Sequence, residues 1–296
     1  MCDVGRGVTL CYESFGSESD PPLLLIMGLG VQMIGWHEDF CVQLADRGFH
    51  VVRFDNRDVG RSTKMKGRPP TLSQMATRRF GPEQYTLEDM ADDAEALLEA
   101  LGLQPAHIVG ASMGGMIGQT LAVRHPESVR SLTSIMSSTG NRFAGQPKLG
   151  IYRYLLGQAP REKEAYIDFA ERVFTAVGSP GMPRDASYIR ERAARSFDRG
   201  HNPSGTGRQL GAILASGDRT DQLRGIKAPT LVIHGTRDRL VSPSGGRATA
   251  NAIPGAELLK IEGMGHDLPP AAWDQVVDGI VRTAARADRD VDRAAA

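Results

Sequence analysis

Ser112 lies between glycines in Gly110-Ala111-Ser112-Met113-Gly114, directly after the short apolar run His107-Ile108-Val109. A hydroxyl there helps neither a strand nor a helix interior. Either it caps a glycine-rich turn, or the turn exists to present it. The spacing G-x-S-x-G is that of a nucleophile elbow, where a strand turns sharply into a helix. Such a turn strains the serine backbone and crowds the positions two residues away, which is the use of glycine at both. The pattern alone is a weak signal. Its setting, after a buried run and before MIGQTLAV, strengthens it.

A serine hydroxyl is a poor nucleophile until a base takes its proton, and the base needs a carboxylate to fix its tautomer. With this type of elbow the chain order is serine, acid, histidine. Of the seven histidines, His125, His201, His234 and His266 follow Ser112. Only His266 falls in a loop after the last expected strand, in Glu262-Gly263-Met264-Gly265-His266. His125 reads as a helix cap beside Pro126, His201 as exposed, and His234 as a strand end that packs or hydrogen-bonds locally. The acid belongs just past a strand. TLVIHG runs directly into Thr236-Arg237-Asp238, so Asp238 is the candidate; Asp218 and Asp221 precede that strand and fit less well. A plain surface aspartate at a helix start is the competing reading of Asp238.

An oxyanion needs two donors. The backbone N–H of Met113 is one candidate. The N–H of Leu29, in Met27-Gly28-Leu29-Gly30, is the other, with the glycines allowing close approach. A dinucleotide loop G-x-G-x-x-G fails there because the sixth position is Met33. The turn FDNRDVGRS at 54–62 reads as a structural, hydrogen-bonded turn. No histidine–carboxylate cluster has metal spacing, and no cofactor is expected.

The elements that must carry these residues alternate. Strands are expected at 23–27, 50–54, 107–109, 129–135, 230–233 and 257–261. Helices are expected at 37–47, 87–101, 116–125, 246–252 and 273–285. Between 137 and 224 no buried strand is expected, and amphipathic helices fall at 152–155, 162–177, 186–197 and 207–215. The expected division is a parallel-sheet core, 1–136 and 225–296, interrupted by a helical insertion at 137–224. The end, DRDVDRAAA, is expected to fray.

Lysine plus arginine number 35 against 35 acids, giving zero formal charge. That argues against a nucleic-acid partner and against electrostatic attraction to an anionic membrane. No stretch approaches the roughly 18 apolar residues of a membrane span, so no integral segment is expected. The N-terminus lacks a signal-peptide pattern, and Cys2, Cys11 and Cys41 show no metal spacing. Reduced thiols and a cytoplasmic location are expected, with Cys41 in packing rather than chemistry. Oligomeric state is left open.

With these residues in place, the chain resembles the α/β-hydrolase superfamily. The resemblance rests on LLLIMGLG, FDNRDVGRS, GASMGG, APTLVIHGTRD and IEGMGH together. Within the superfamily it is most similar to bacterial esterases of the aclacinomycin methylesterase type and to mycobacterial lipase/esterase-like hydrolases, through MGLGVQMIGWHEDF and IEGMGHDLP. The resemblance implies a mostly parallel eight-stranded sheet with a helical cap, a Ser112–His266–Asp238 triad, and a small-molecule ester as substrate. It departs from the commoner pattern at Met27-Gly28, where His-Gly is usual. Met33, Trp36, Phe143 and Met264 are candidate walls of an apolar pocket, since methionine adapts to irregular shapes. Ordinary core filling is the competing reading for Met27 and Met136. Two alternatives to a carboxylesterase stand: a cofactor-free perhydrolase on the same triad, and a hydrolase-fold binding or receptor protein with little turnover.

Overall fold

An apolar run such as Leu23–Ile26 can satisfy its backbone and bury both faces only inside a sheet covered on two sides. The computed structural model, which describes residues 1–155 and 159–295, shows that sheet. In chain order, β1 (Cys2–Asp3) and β2 (Thr9–Leu10) pair as a small antiparallel hairpin. Then come β3 (Tyr12–Phe15), β4 (Pro22–Ile26), helix α1 (Glu38–Ala45) and β5 (His50–Phe54). Helices α2 (Leu72–Thr77) and α3 (Leu87–Ala100) lead to β6 (Ala106–Ala111), α4 (Met113–Arg124) and β7 (Val129–Ile135). A helical stretch follows: α5 (Tyr152–Leu155), α6 (Lys163–Val177), α7 (Ala186–Gly200), α8 (Pro203–Ser216) and α9 (Thr220–Leu223). The chain closes with β8 (Thr230–Gly235), α10 (Pro243–Ala252), β9 (Glu257–Ile261) and α11 (Pro270–Ala295).

The main sheet has seven strands in the order β3-β5-β4-β6-β7-β8-β9, all parallel except β3 against β5. An eighth strand was expected. The N-terminal residues form the β1–β2 hairpin instead, because their backbone groups bond elsewhere. Thr9 N donates to Thr63 Oγ1, and Cys11 N donates to Ser62 Oγ. Along β4, Leu24 and Ile26 pack with α3 and α4, while Leu23 and Leu25 pack with α1 and α11. The period-two alternation of a strand thus builds two apolar layers from one short run. The last helix runs to Ala295, beyond the expected end and through the segment expected to fray. Among the described residues no helix is long and apolar enough to cross a membrane.

The turn at 54–62 joins the sheet to the helical stretch. Asp58 accepts a two-pronged bond from Arg208 of α8, at 2.9 and 2.6 Å, and a third from the Tyr85 hydroxyl at 2.9 Å. Asp55 accepts from Arg199 of α7 at 2.6 Å, and Arg57 grips Asp93 at 2.6 and 2.7 Å. Asp55 and Asp58 are fully buried. Their charges are tolerable there because every one is paired and hydrogen-bonded.

Candidate active site

Ser112 ends β6 and begins α4. Its backbone has φ 55° and ψ −118°, a conformation that costs a non-glycine residue about 1–3 kcal/mol. Neighbours hold it there: Ser112 N donates to Ile135 O at 2.9 Å, and Ser137 Oγ donates to Ser112 O at 2.8 Å. The flanking glycines are required sterically. A Cβ on Gly110 would lie 2.1 Å from Gly114 O, and one on Gly114 would lie 2.0 Å from Ile26 O.

His266 follows β9 in a loop that Gly263 and Gly265 shape. Gly263 takes φ 77°, and a Cβ on Gly265 would press 2.4 Å from Gly178 O. His266 N donates to Val177 O at 2.7 Å, which fastens the loop to the end of α6. The ring reaches back over the sheet. Its Nε2 is 3.0 Å from Ser112 Oγ, and its Nδ1 is 2.7 Å from Asp238 Oδ2. Asp238 can only accept when ionised, so Nδ1 carries the proton and Nε2 accepts from the serine hydroxyl.

Asp238 is 1% exposed, just past β8. Its Oδ1 accepts from Leu240 N and Val241 N, each at 2.9 Å. Burial alone would raise its pKa, but the charge of His266 and the hydrogen bonds of His234 and His266 outweigh it and hold the carboxyl at about 2.

His234, expected to pack or hydrogen-bond locally, does so beside the candidate acid. Its Nε2 donates to Val241 O at 2.8 Å and lies 3.4 Å from Asp238 Oδ2. Gly246 leaves room for the ring, since a Cβ there would sit 2.5 Å from His234 Nδ1. The only signal in the sequence is its position four residues before Asp238 at a strand end.

The N–H groups of Leu29 and Met113 have no acceptor among the described residues. Gly28 brings the Leu29 loop against Ser112, where a Cβ on Gly28 would lie 3.1 Å from Ser112 Cβ. Two side chains outside the loop fix it. Asn56 Nδ2 donates to Met27 O at 3.0 Å, and Gln209 Oε1 accepts from Gly30 N at 2.8 Å. Gln209 also donates to Arg57 O at 2.8 Å, so α8 and the 54–62 turn hold the loop jointly.

Ser112, His266 and Leu29 line one cavity of about 2290 Å³ between the sheet and the helical stretch. Of the four expected wall residues, Trp36 lines it, stacked on Phe40 at 5.7 Å. The other three do not. Met33 is buried beside Cys11 and Ile34, because Met33 N is drawn to Asp55 Oδ1 at 2.7 Å. Met264 is fully buried with α11 in the sheet's second layer, and Phe143 is 87% exposed. His201, expected to be exposed, is half-buried and stacks on Phe197 at 5.0 Å, with Nε2 2.8 Å from Pro160 O. Burial pushes the Cys41 thiol up to about 12, in keeping with packing.

The sequence pattern of the alpha/beta hydrolase fold family matches residues 21–269. The chain belongs to that family. Among its alpha/beta hydrolase relatives, rhodomycin D methylesterase DnrP of Streptomyces peucetius is 29% identical over 92% of this chain and 94% of its own. The 3-oxoadipate enol-lactonase 2 of Acinetobacter baylyi is 25% identical over 94% of each. Solved structures share the fold: the enol-lactonase from Burkholderia xenovorans LB400 aligns with a TM-score of 0.75 at 24% identity, covering 95% of this chain and 98% of that one.

Proposed function

We propose that the protein hydrolyses carboxylic esters of small molecules through an acyl-enzyme. Ser112 Oγ attacks the ester carbonyl as His266 Nε2 takes its proton. The carbonyl oxygen gains the charge, and the N–H groups of Leu29 and Met113 receive it. His266 returns the proton to the departing alcohol, leaving an acyl group on Ser112. Water then attacks that acyl group with His266 as base, and the acid departs. Asp238 keeps Nδ1 protonated throughout and stabilises the transient imidazolium.

The observation that carries this reading is the chain of two contacts, Ser112 Oγ to His266 Nε2 at 3.0 Å and His266 Nδ1 to Asp238 at 2.7 Å. Three segments separated widely in sequence supply it, and the strain at Ser112 is retained to present the hydroxyl. The likeness to a methylesterase over nearly the whole chain supports ester chemistry, methyl esters included. The helices at 137–224 act as a cap over an apolar-walled cavity that suits a bulky substrate.

A p-nitrophenyl ester series from acetate to palmitate, with methyl esters, tests the reading on wild type and Ser112→Ala. The variant is expected to lose at least about a thousandfold in turnover, since triad members act as a unit. Retention of a tenth or more would end the proposal.

A further inference from the structure

Helix α7 carries four arginines, and three of them are neutralised. Arg190 pairs with Asp168 and Glu171 at 2.8 and 2.7 Å, Arg195 with Glu38 at 2.8 Å, and Arg199 with Asp55 at 2.6 Å. Arg192 differs. Among the described residues no carboxylate lies within 4.0 Å of it. It lines the cavity that holds Ser112 and His266.

Aromatic rings hold its side chain in place. The guanidinium carbon is 4.4 Å from the centre of the Phe174 ring on α6 and 5.6 Å from that of Tyr188. Tyr188 is in turn fixed against His37, ring centres 4.5 Å apart. Ring faces offset part of a cation's charge but cannot neutralise it. Burial lowers the pKa of Arg192, opposed by Tyr188, Tyr166 and Asp267, so the surroundings do not fully compensate the charge.

The cavity's two carboxylates among the described residues, Asp185 and Asp267, lie beyond 4.0 Å of Arg192 and are held by neutral donors. Asp185 accepts from Tyr188 N and Ser187 Oγ, and Asp267 accepts from Ser179 Oγ. A half-buried cation without a counter-ion in a largely apolar wall is costly. A ligand that brings its own anion relieves that cost, and the planar guanidinium fork matches a carboxylate.

Arg78, Arg161 and Arg184 also line the cavity but are exposed, whereas Arg192 is half-buried. We infer that Arg192 is an anion-recognition residue of the cavity, and that the substrate is an apolar ester carrying a free carboxylate away from the scissile carbonyl. This rests on the ester-hydrolase reading above. The aromatic rings receive the apolar body while Arg192 grips the far carboxylate. The ester is thereby oriented towards Ser112.

The test uses mono-p-nitrophenyl esters of dicarboxylic acids from five to ten carbons, each compared with its neutral counterpart whose free acid is methylated. Wild type is expected to favour the free acid at one or more chain lengths. In Arg192→Met the ratio of kcat/KM for free acid over methyl ester falls about tenfold or more at those lengths. Arg192→Lys, which keeps the charge but loses the fork, falls between and serves if the methionine variant does not fold. Ratios unchanged from wild type in a folded variant overturn the inference, as does a wild type with no preference at any length.

Calorimetric titration separates this from the catalytic reading. Ser112→Ala protein is titrated with monomethyl suberate and with dimethyl suberate, with and without Arg192→Met. Tighter binding of the monoester, lost with Arg192→Met, supports the site whatever the fate of Ser112 as nucleophile. Equal binding of the two esters to Ser112→Ala protein overturns it.

Discussion

Asp238→Asn isolates one atom of the candidate triad. Asp238 Oδ1 accepts two backbone N–H bonds at 2.9 Å, so the amide oxygen of asparagine takes that position. The amide nitrogen must then face His266 Nδ1, where Oδ2 now lies 2.7 Å away. An amide N–H can only donate, so Nδ1 loses its proton and Nε2 gains one. The ring then donates to Ser112 Oγ and cannot accept from it. The expected loss in kcat is roughly ten-thousandfold, the size such a tautomer change has elsewhere. Stability gives a second reading. With its folded value near 2 against an ordinary 3.8, Asp238 stabilises the fold above pH 3.8 and loses that contribution as pH falls towards 2. The contribution is roughly 2 kcal/mol. Asparagine cannot titrate, so the stability gap between wild type and variant should shrink by about that much over the window. Stopped-flow release of p-nitrophenol measures the first effect, and urea melts from pH 5 to pH 2 the second. A variant that keeps more than a tenth of wild-type kcat, or an unchanged gap across the acid window, would refute the reasoning.

Gln209→Leu removes the acceptor for Gly30 N and frees the Leu29 loop. It should lower kcat about tenfold to a hundredfold with a smaller change in KM, read on p-nitrophenyl butyrate. Arg208→Met leaves the buried Asp58 carboxylate without its two-pronged partner, and chemical denaturation should show a loss of about 3–5 kcal/mol.

Local signals accounted for much of the architecture. The strands at 50–54, 129–135 and 257–261 agree with the expected spans to the residue, because in each a few apolar residues, mixed with polar ones, are closed off by turn-forming neighbours. The elbow spacing, the chain order and positions just past strands together made Ser112, Asp238 and His266 the candidates, and parallel strands bring those ends to one rim. What was not legible depended on partners far away in sequence. Met33 and Met264 look like pocket residues by composition, yet their directions are set by Asp55 and α11. The turn at 54–62 showed charges but not their partners, because Asp58 and Arg208 are 150 residues apart. Arg192 looks like its neighbours on α7 until the acids that neutralise the others are known.

The buried pairs Asp55–Arg199 and Asp58–Arg208, together with the Gln209 bonds, bear on how such enzymes can be recombined. A graft of the helices between β7 and β8 from a relative would sever contacts that also set the Leu29 loop. The natural unit of exchange is therefore discontinuous: the inserted helices travel with residues 54–62, or the recipient is left with stranded charges and a slack loop beside its serine.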